Sequence, residues 1–230
     1  MKINKILFVV TSHSELGNTG KKTGLWIEEF AAPYYRLSDL GKEIVIASPK
    51  GGATPIDPKS DDPEFKTDAT KRYYGDKQTQ DRLSNTVKLS TVSESDFDTI
   101  FYPGGHGPMW DLAEDKDSAK LIEAFYYKDK IVTLMCHAPA ALKYARMPNG
   151  QWLIEGKRVS GFANTEEETV QLTHVVPFSL EDMLKQRGGI YQKAEDWMPF
   201  VTRDGRLITG QNPASALLAC DTLLDYADRI

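Results

Sequence analysis

Residues Ile131–Ala145 read IVTLMCHAPAALKYA. Ile131, Val132, Thr133 and Leu134 make an unbroken apolar and β-branched run, the pattern of a parallel strand covered on both faces. Ala138–Ala145 is rich in helix formers, with Pro139 near its start, where a missing N–H does no harm. Cys136 therefore stands at a strand-to-helix turn, the place where a sharp elbow exposes a nucleophile at the edge of an α/β sheet. The positive end of a helix beneath a thiol favours the thiolate, so a lowered pKa is expected. An unpaired cysteine is equally at home in a core, and the stretch alone leaves both readings open.

Outward from this point the chain alternates. Lys5–Thr11 (KILFVVT), Glu43–Ser48 (EIVIAS), Asp98–Tyr102 (DTIFY) and Lys157–Phe162 (KRVSGF) read as further strands. Leu25–Leu40 and Ser118–Tyr127 have helical periodicity, with Pro33 expected to kink or split the first and Gly41 to stop it. Strand and helix in alternation are the signature of an α/β sheet with parallel core strands. Near the C-terminus come Ile190–Lys193, then Pro199–Arg203 and Arg206–Thr209 joined by Asp204-Gly205, a two-residue hairpin signal. Asn212 is expected to cap a last helix with Pro213 at its first position. Cys220 falls on that helix's apolar stripe and reads as core. The stretch from about 50 to 96 breaks the alternation. It is rich in Asp, Lys, Pro and Gly, holds a short helix near Asp81–Leu89, and is expected to be a cap or lid inserted in a single 1–230 domain.

The composition narrows the function. With 230 residues, 40% of them hydrophobic and 27% charged, the chain supports a packed core. A net charge of −5 without a basic patch argues against nucleic acid as a partner. The apolar run Ile6–Val10 is too short for a signal peptide, and nothing approaches the ~20 apolar residues that cross a bilayer. Only two cysteines and four histidines occur, without metal-type spacing, so neither a disulfide framework nor a metal site is expected. These features read as a soluble protein of a reducing cytoplasm, with no membrane partner.

Four further positions bear on chemistry. Glu29 lies about 50° from the centre of the apolar arc of its helix and Glu28 about 150° away. A carboxyl on an apolar face has its pKa raised by burial and becomes an acid/base candidate; a helix-edge glutamate reaching solvent is the alternative. PGGHG (Pro103–Gly107) ends a strand at the same sheet edge as Cys136. Its Gly105 N–H, with that of His137, is a candidate oxyanion hole, and His106 either lines the pocket or is an ordinary loop residue. His137 is awkward as a base for its own neighbour, since consecutive side chains in a regular helix diverge; only an irregular backbone at Cys136 would bring them together. A catalytic His137 needs an orienting carboxylate. Glu166-Glu167-Glu168 either supplies it or merely forms an acidic first helical turn.

Taken in order, TGLWIEEFAAP, IASPKGGATPIDPKS, FYPGGHGPMWDL, MCHAPAAL, LIEGKRVSGFANTEEE and DGRLITGQNPASA span nearly the whole chain. Together they resemble the ThiJ/PfpI superfamily, in particular its heat-inducible chaperone and glutathione-independent glyoxalase III branch. The resemblance implies a flavodoxin-like three-layer α/β sandwich, a mostly parallel sheet with helices on both faces, and commonly a homodimer. It implies Cys136 as nucleophile, His137 as the second triad member, Glu167 as the third with Glu166 as fallback, Glu29 as the glutamate touching the cysteine, and Gly105 as the oxyanion glycine. It further implies conversion of methylglyoxal and related 2-oxoaldehydes to lactate and other 2-hydroxy acids through a hemithioacetal, with no cofactor. Glu29, or His137 oriented by Glu167, would move the proton between the two carbonyl carbons. Protein or nucleotide deglycation, a holdase role on glycated or unfolded proteins, redox sensing at Cys136 and peptidase activity are the other activities it brings. Class I glutamine amidotransferases share the outline and the Cys elbow but need a late His-x-Glu pair, which is absent.

Overall fold

The computed structural model describes residues 1–230. The chain runs β1 (Lys5–Val9), α1 (Ile27–Asp39), β2 (Glu43–Ser48), then α2 (Asp68–Gly75), α3 (Lys77–Ser84) and the two-residue β3 (Val87–Lys88). It continues through β4 (Thr99–Tyr102), α4 (Lys116–Tyr127), β5 (Ile131–Met135), β6 (Arg158–Val159), α5 (Asn164–Thr169) and α6 (Leu180–Gln186). β7 (Ile190–Tyr191), the hairpin β8 (Val201–Asp204) and β9 (Leu207–Gly210), and α7 (Ala216–Asp228) complete it.

Seven strands form one sheet in the order β3-β2-β1-β4-β5-β9-β8, parallel throughout except for the β8–β9 pair. Every residue of β4 and β5 is buried, as an unbroken apolar run requires of a strand covered on two faces. α1 and α7 pack together beside the sheet, while α4 packs on β4 and β5. The core's aromatic centre is Phe8 of β1, stacked on Phe101 of β4 with ring centroids 5.0 Å apart and meeting Phe30 of α1 edge-on at 5.9 Å. The two-residue turn of the hairpin is Gly205-Arg206, one residue later than the Asp204-Gly205 signal, because Asp204 still pairs with Leu207; Gly205 takes φ +57°.

The structure corrects four other local expectations. Pro33 neither kinks out nor splits α1, which stays one helix with Pro33 buried inside it. Burial of Phe30, Tyr34 and Leu37 around it offsets the lost backbone bond, which alone costs ~3 kcal/mol. The run after Cys136 is a 3-10 helix, Ala138–Tyr144, and not an α-helix. Lys157–Phe162 keeps only β6 as strand, and β6 pairs with β7 in a separate two-stranded sheet. The helix expected near Asp81–Leu89 ends at Ser84, and α2 precedes it.

Residues 50–96 attach to α1 and to the β2 edge. Leu25 N–H donates to Pro55 O and Asp57 N–H to Leu25 O, at 2.8 and 2.9 Å. Thr23 donates to Asp57 at 2.8 Å, and Arg72 grips Asp39 through two bonds of 2.7 Å. Phe65 packs edge-on against Trp26, just before α1, with centroids 5.0 Å apart.

Because Phe101 is fully buried between β1 and β5, Phe101→Ala should lose about 3–5 kcal/mol. A urea titration would show this as a lower midpoint with an unchanged slope; a midpoint within error of the parent would contradict the packing described.

Candidate active site

The carboxyl ends of β1, β4 and β5 and the first turn of α1 converge on Cys136. The strand order makes this a switch point: the chain leaves β1 toward β2 on one side and β4 lies on the other, the position where open α/β sheets bind ligands. Cys136 has φ +54°, in the left-handed region that side-chain-bearing residues rarely occupy. Two bonds hold it there: its N–H donates to Gly210 O at 3.0 Å, and its carbonyl accepts from Phe162 N–H at 2.9 Å. This irregular backbone brings neighbouring side chains into register. Cys136 Sγ lies 3.3 Å from His137 Nδ1.

His137 Nε2 is 2.6 Å from Glu167 Oε2, and His106 Nε2 is 2.7 Å from Glu167 Oε1. One carboxylate thus spans two imidazoles, whose ring centroids are 3.9 Å apart. Phe162 closes over His137 with centroids at 4.4 Å. Burial opposes ionisation of Glu167, but the charge and hydrogen bonds of the histidines outweigh it, and its pKa lies well below the usual carboxylate range. Burial and the neighbouring His106 hold His137 down to about 4, so its ring is neutral near pH 7. An ionised carboxylate only accepts, which puts the His137 proton on Nε2 and leaves Nδ1 as a lone pair facing the thiol.

Glu29, fully buried, approaches Cys136 from α1. Gly104 N–H donates to its Oε2 at 2.9 Å; Oε1 has no hydrogen-bond partner, and the carboxyl lies beside the thiol. Burial lifts its pKa to about 8. Glu28 turns away to Thr67, as the helical arc requires. The Cys136 thiol goes up, not down: burial and the charge of Glu29 push it well above its ordinary value, against a smaller opposing effect of the Gly105 N–H. This reverses the expected thiolate. The following helix is a short 3-10 turn, and the group beside the thiol is a carboxyl, which adds negative charge once it ionises.

The glycines of PGGHG are steric necessities. A Cβ on Gly104 would sit 2.6 Å from Met135 O and 2.8 Å from Glu29 Oε2. Gly105 has φ +96°, and a Cβ there would sit 2.3 Å from Gly24 O. The Gly105 N–H points at Cys136, and neither it nor the His137 N–H is used in a backbone hydrogen bond.

Of the acidic triplet, Glu167 meets His137. Glu166 is buried elsewhere, accepting from Ala163 N–H (3.0 Å), Trp197 N–H (2.8 Å) and Asn212 Nδ2 (2.8 Å). Glu168 is exposed. The scattered histidines do converge at one point: ligand-type atoms of His106, His137 and Glu167 lie within 4.8 Å of one another. They are hydrogen-bonded directly, however, whereas a tetrahedral ion at ~2.05 Å would hold its ligands about 3.3 Å apart. Sequence reasoning missed the His106–Glu167 bond, since nothing local links positions 61 residues apart. It also missed Trp197, which takes φ +67° and packs on Phe162 at 5.8 Å.

Fold and site together define an α/β protein with a cysteine on a strained elbow, flanked by a histidine–glutamate pair and a buried acid. A model of the DJ-1/PfpI family matches residues 26–225, and the chain belongs to that family. It is similar to "Glyoxalase 3" of Candida albicans, 30% identical over 96% of this chain and 97% of that protein. It is also similar to "Glutathione-independent glyoxalase HSP31" of Saccharomyces cerevisiae, 28% identical over 94% of each. The crystal structure of Rapid Encystment Protein 24 KDa from Francisella tularensis superposes with a TM-score of 0.93 at 38% identity, covering 97% of this chain and 98% of that one.

The raised Glu29 pKa has a consequence for stability. In the folded chain the group keeps its proton up to about pH 8, whereas its ordinary value is 4.5. Its protonated form therefore favours the fold fully below pH 4.5, and that advantage is lost as pH rises toward 8. Relative to Glu29→Gln, the wild type should lose stability across this window by at most about 1.4 kcal/mol per pH unit. Urea unfolding of both proteins at pH 5 and pH 8 tests this; parallel pH dependences would contradict it.

Proposed function

We propose that this chain is a glutathione-independent glyoxalase that converts methylglyoxal and related small 2-oxoaldehydes to 2-hydroxy acids. The observation that carries the reading is the Cys136 thiol held between a neutral imidazole Nδ1 and a buried carboxyl that keeps its proton near neutral pH. The names of two relatives matched over nearly their whole length support it.

In this mechanism His137 Nδ1 takes the thiol proton as Sγ attacks the aldehyde carbon, with the Gly105 and His137 amides facing the alkoxide. Proton return to that oxygen gives the hemithioacetal. His137 then removes the proton from the former aldehyde carbon while Glu29 protonates the ketone oxygen, producing an enediol. His137 delivers its proton to the second carbon and Glu29 recovers one from the first hydroxyl, leaving a lactoyl thioester. Water releases lactate and restores the thiol. The aldehyde carbon is oxidised and the ketone carbon reduced, so no external electron carrier is needed. Glu167 stays ionised and balances the transient imidazolium. This is cysteine-dependent lyase chemistry.

A small free aldehyde suits the site better than a protein-borne adduct, because Cys136 is only 3% exposed. The 50–96 insertion serves as the cap, since Phe65 backs Trp26, whose N–H bonds Gly104 O at 3.1 Å.

Cys136→Ala should abolish lactate formation from methylglyoxal in the absence of glutathione; turnover at the parental rate would end the proposal. The pH profile of kcat/KM should be a bell. It rises as His137 becomes neutral above about 4 and falls as Glu29 loses its proton near 8. Glu29→Gln should lower the rate by roughly 100-fold or more and remove the alkaline limb. An alkaline limb that survives in this variant belongs to another group.

A further inference from the structure

We propose that His106 is a positioning residue: by donating from Nε2 to Glu167 Oε1 it fixes the carboxylate so that Oε2 meets His137, and it does not act as a substrate contact. The proposal deepens the reading of the thiol–imidazole site above and rests on it.

The argument starts from what holds Glu167. Its neighbour Glu166 is fixed by two backbone amides and an asparagine. Glu167 has no such donors; its two oxygens are bonded to the two imidazoles and to nothing else. A carboxylate bonded at one oxygen is free to turn about its last torsion and present either oxygen. The second imidazole removes that freedom. His106 is itself fixed by the tight turn that carries it: Gly107 N–H bonds Gly24 O at 3.3 Å, and a Cβ on Gly107 would meet Thr11 at 2.6 Å. Its ring also lies 3.9 Å from that of His137 at a tilt of 36°, which obstructs a flip of the His137 ring. The His137 lone pair stays on the thiol only while Nε2–H stays on Glu167, so the reach of His106 extends to Cys136 without touching it.

His106 has a second effect. Its ring, close beside that of His137, acts with burial to hold the His137 pKa down. The groups facing His137 are the Cys136 thiol from its own turn, Glu167 from α5 and His106 from the β4 turn; Phe162 is apolar, and Glu29 acts through the thiol. Loss of His106 therefore removes the one imidazole opposing protonation of His137, and the acid limb should move toward higher pH.

Two variants separate these effects. His106→Leu removes donor and imidazole, whereas His106→Gln keeps a donor of similar reach without the imidazole. The readouts are kcat and KM for methylglyoxal, the pH dependence of Cys136 alkylation by iodoacetamide, and the imidazole nitrogen shifts of His137. His106→Leu should lower kcat by about 10-fold or more with KM within twofold, slow alkylation similarly and shift its acid limb upward. His106→Gln should recover most of the rate while the limb stays shifted. A raised KM at unchanged kcat would make His106 a substrate contact and overturn the proposal, as would parental alkylation in the leucine variant. If that variant does not fold, the wild-type nitrogen spectrum decides: His106 protonated on Nε2 supports the bond to Glu167, and protonation on Nδ1 alone refutes it. Alkylation and spectra need no substrate. Failure of lactate formation with these signatures intact would count against the glyoxalase reading alone.

Discussion

The left-handed backbone of Cys136 is the constraint on which the rest of the site depends. In a regular strand or helix the side chains of Cys136 and His137 would point apart. At φ +54° they meet, with Sγ 3.3 Å from Nδ1. Such a conformation costs on the order of 1–3 kcal/mol and persists only where its surroundings over-determine it. Here β9 takes the amide and the segment after β6 takes the carbonyl. The β4 turn must then pass so close to the elbow that Gly104 has no room for a side chain. The packed sheet thus sustains a strain that no local preference would supply.

Three buried glutamates surround this elbow without one lysine or arginine paired to them, and each is accommodated differently. Glu29 keeps its proton, since burial outweighs the single amide that would stabilise its charge. Glu167 ionises, because two imidazoles share it. Glu166 is met by three N–H donors and ties α5 to the Trp197 loop and to the Asn212 turn before α7. The first two arrangements split the titrations of neighbouring carboxyls far apart, the condition under which one can act as an acid while the other remains an anion. The third is architectural: it sets the start of α5 and so the direction in which the next residue, Glu167, projects.

The sequence carried the elements whose burial is periodic or continuous. The strands at Lys5, Glu43, Thr99 and Ile131 and the helices at Ile27 and Lys116 all follow from runs of apolar residues. Glu29 was legible because helical geometry converts residue number into direction. What depends on distant partners was not. β6 pairs with β7 over an intervening helix pair, and the 50–96 insertion is organised by contacts to α1. His106 and Glu167 meet only because the β4 turn and α5 end at one sheet edge. The direction of the Cys136 pKa was inferred from a helix dipole. It is governed instead by desolvation and a carboxyl from another element, neither visible along the local chain.

That reversal changes how the thiol works. A depressed pKa would give a standing thiolate, open to peroxide and to indiscriminate electrophiles. Cys136, 3% exposed and shifted upward, holds little standing thiolate, which speaks against a primary role in redox sensing. Nor does a raised pKa make the sulfur inert. Intrinsic nucleophilicity rises with basicity, so a thiolate formed only at the moment of attack reacts faster than one stabilised in advance. In the proposed mechanism the lone pair on His137 Nδ1 supplies the means, and an electrophile small enough to reach the elbow supplies the occasion. Selectivity in that mechanism comes from access and from proton transfer together. Under the proposed mechanism, an aldehyde whose neighbouring carbonyl can take up the Glu29 proton would complete the cycle, and one without it would fall back to free thiol.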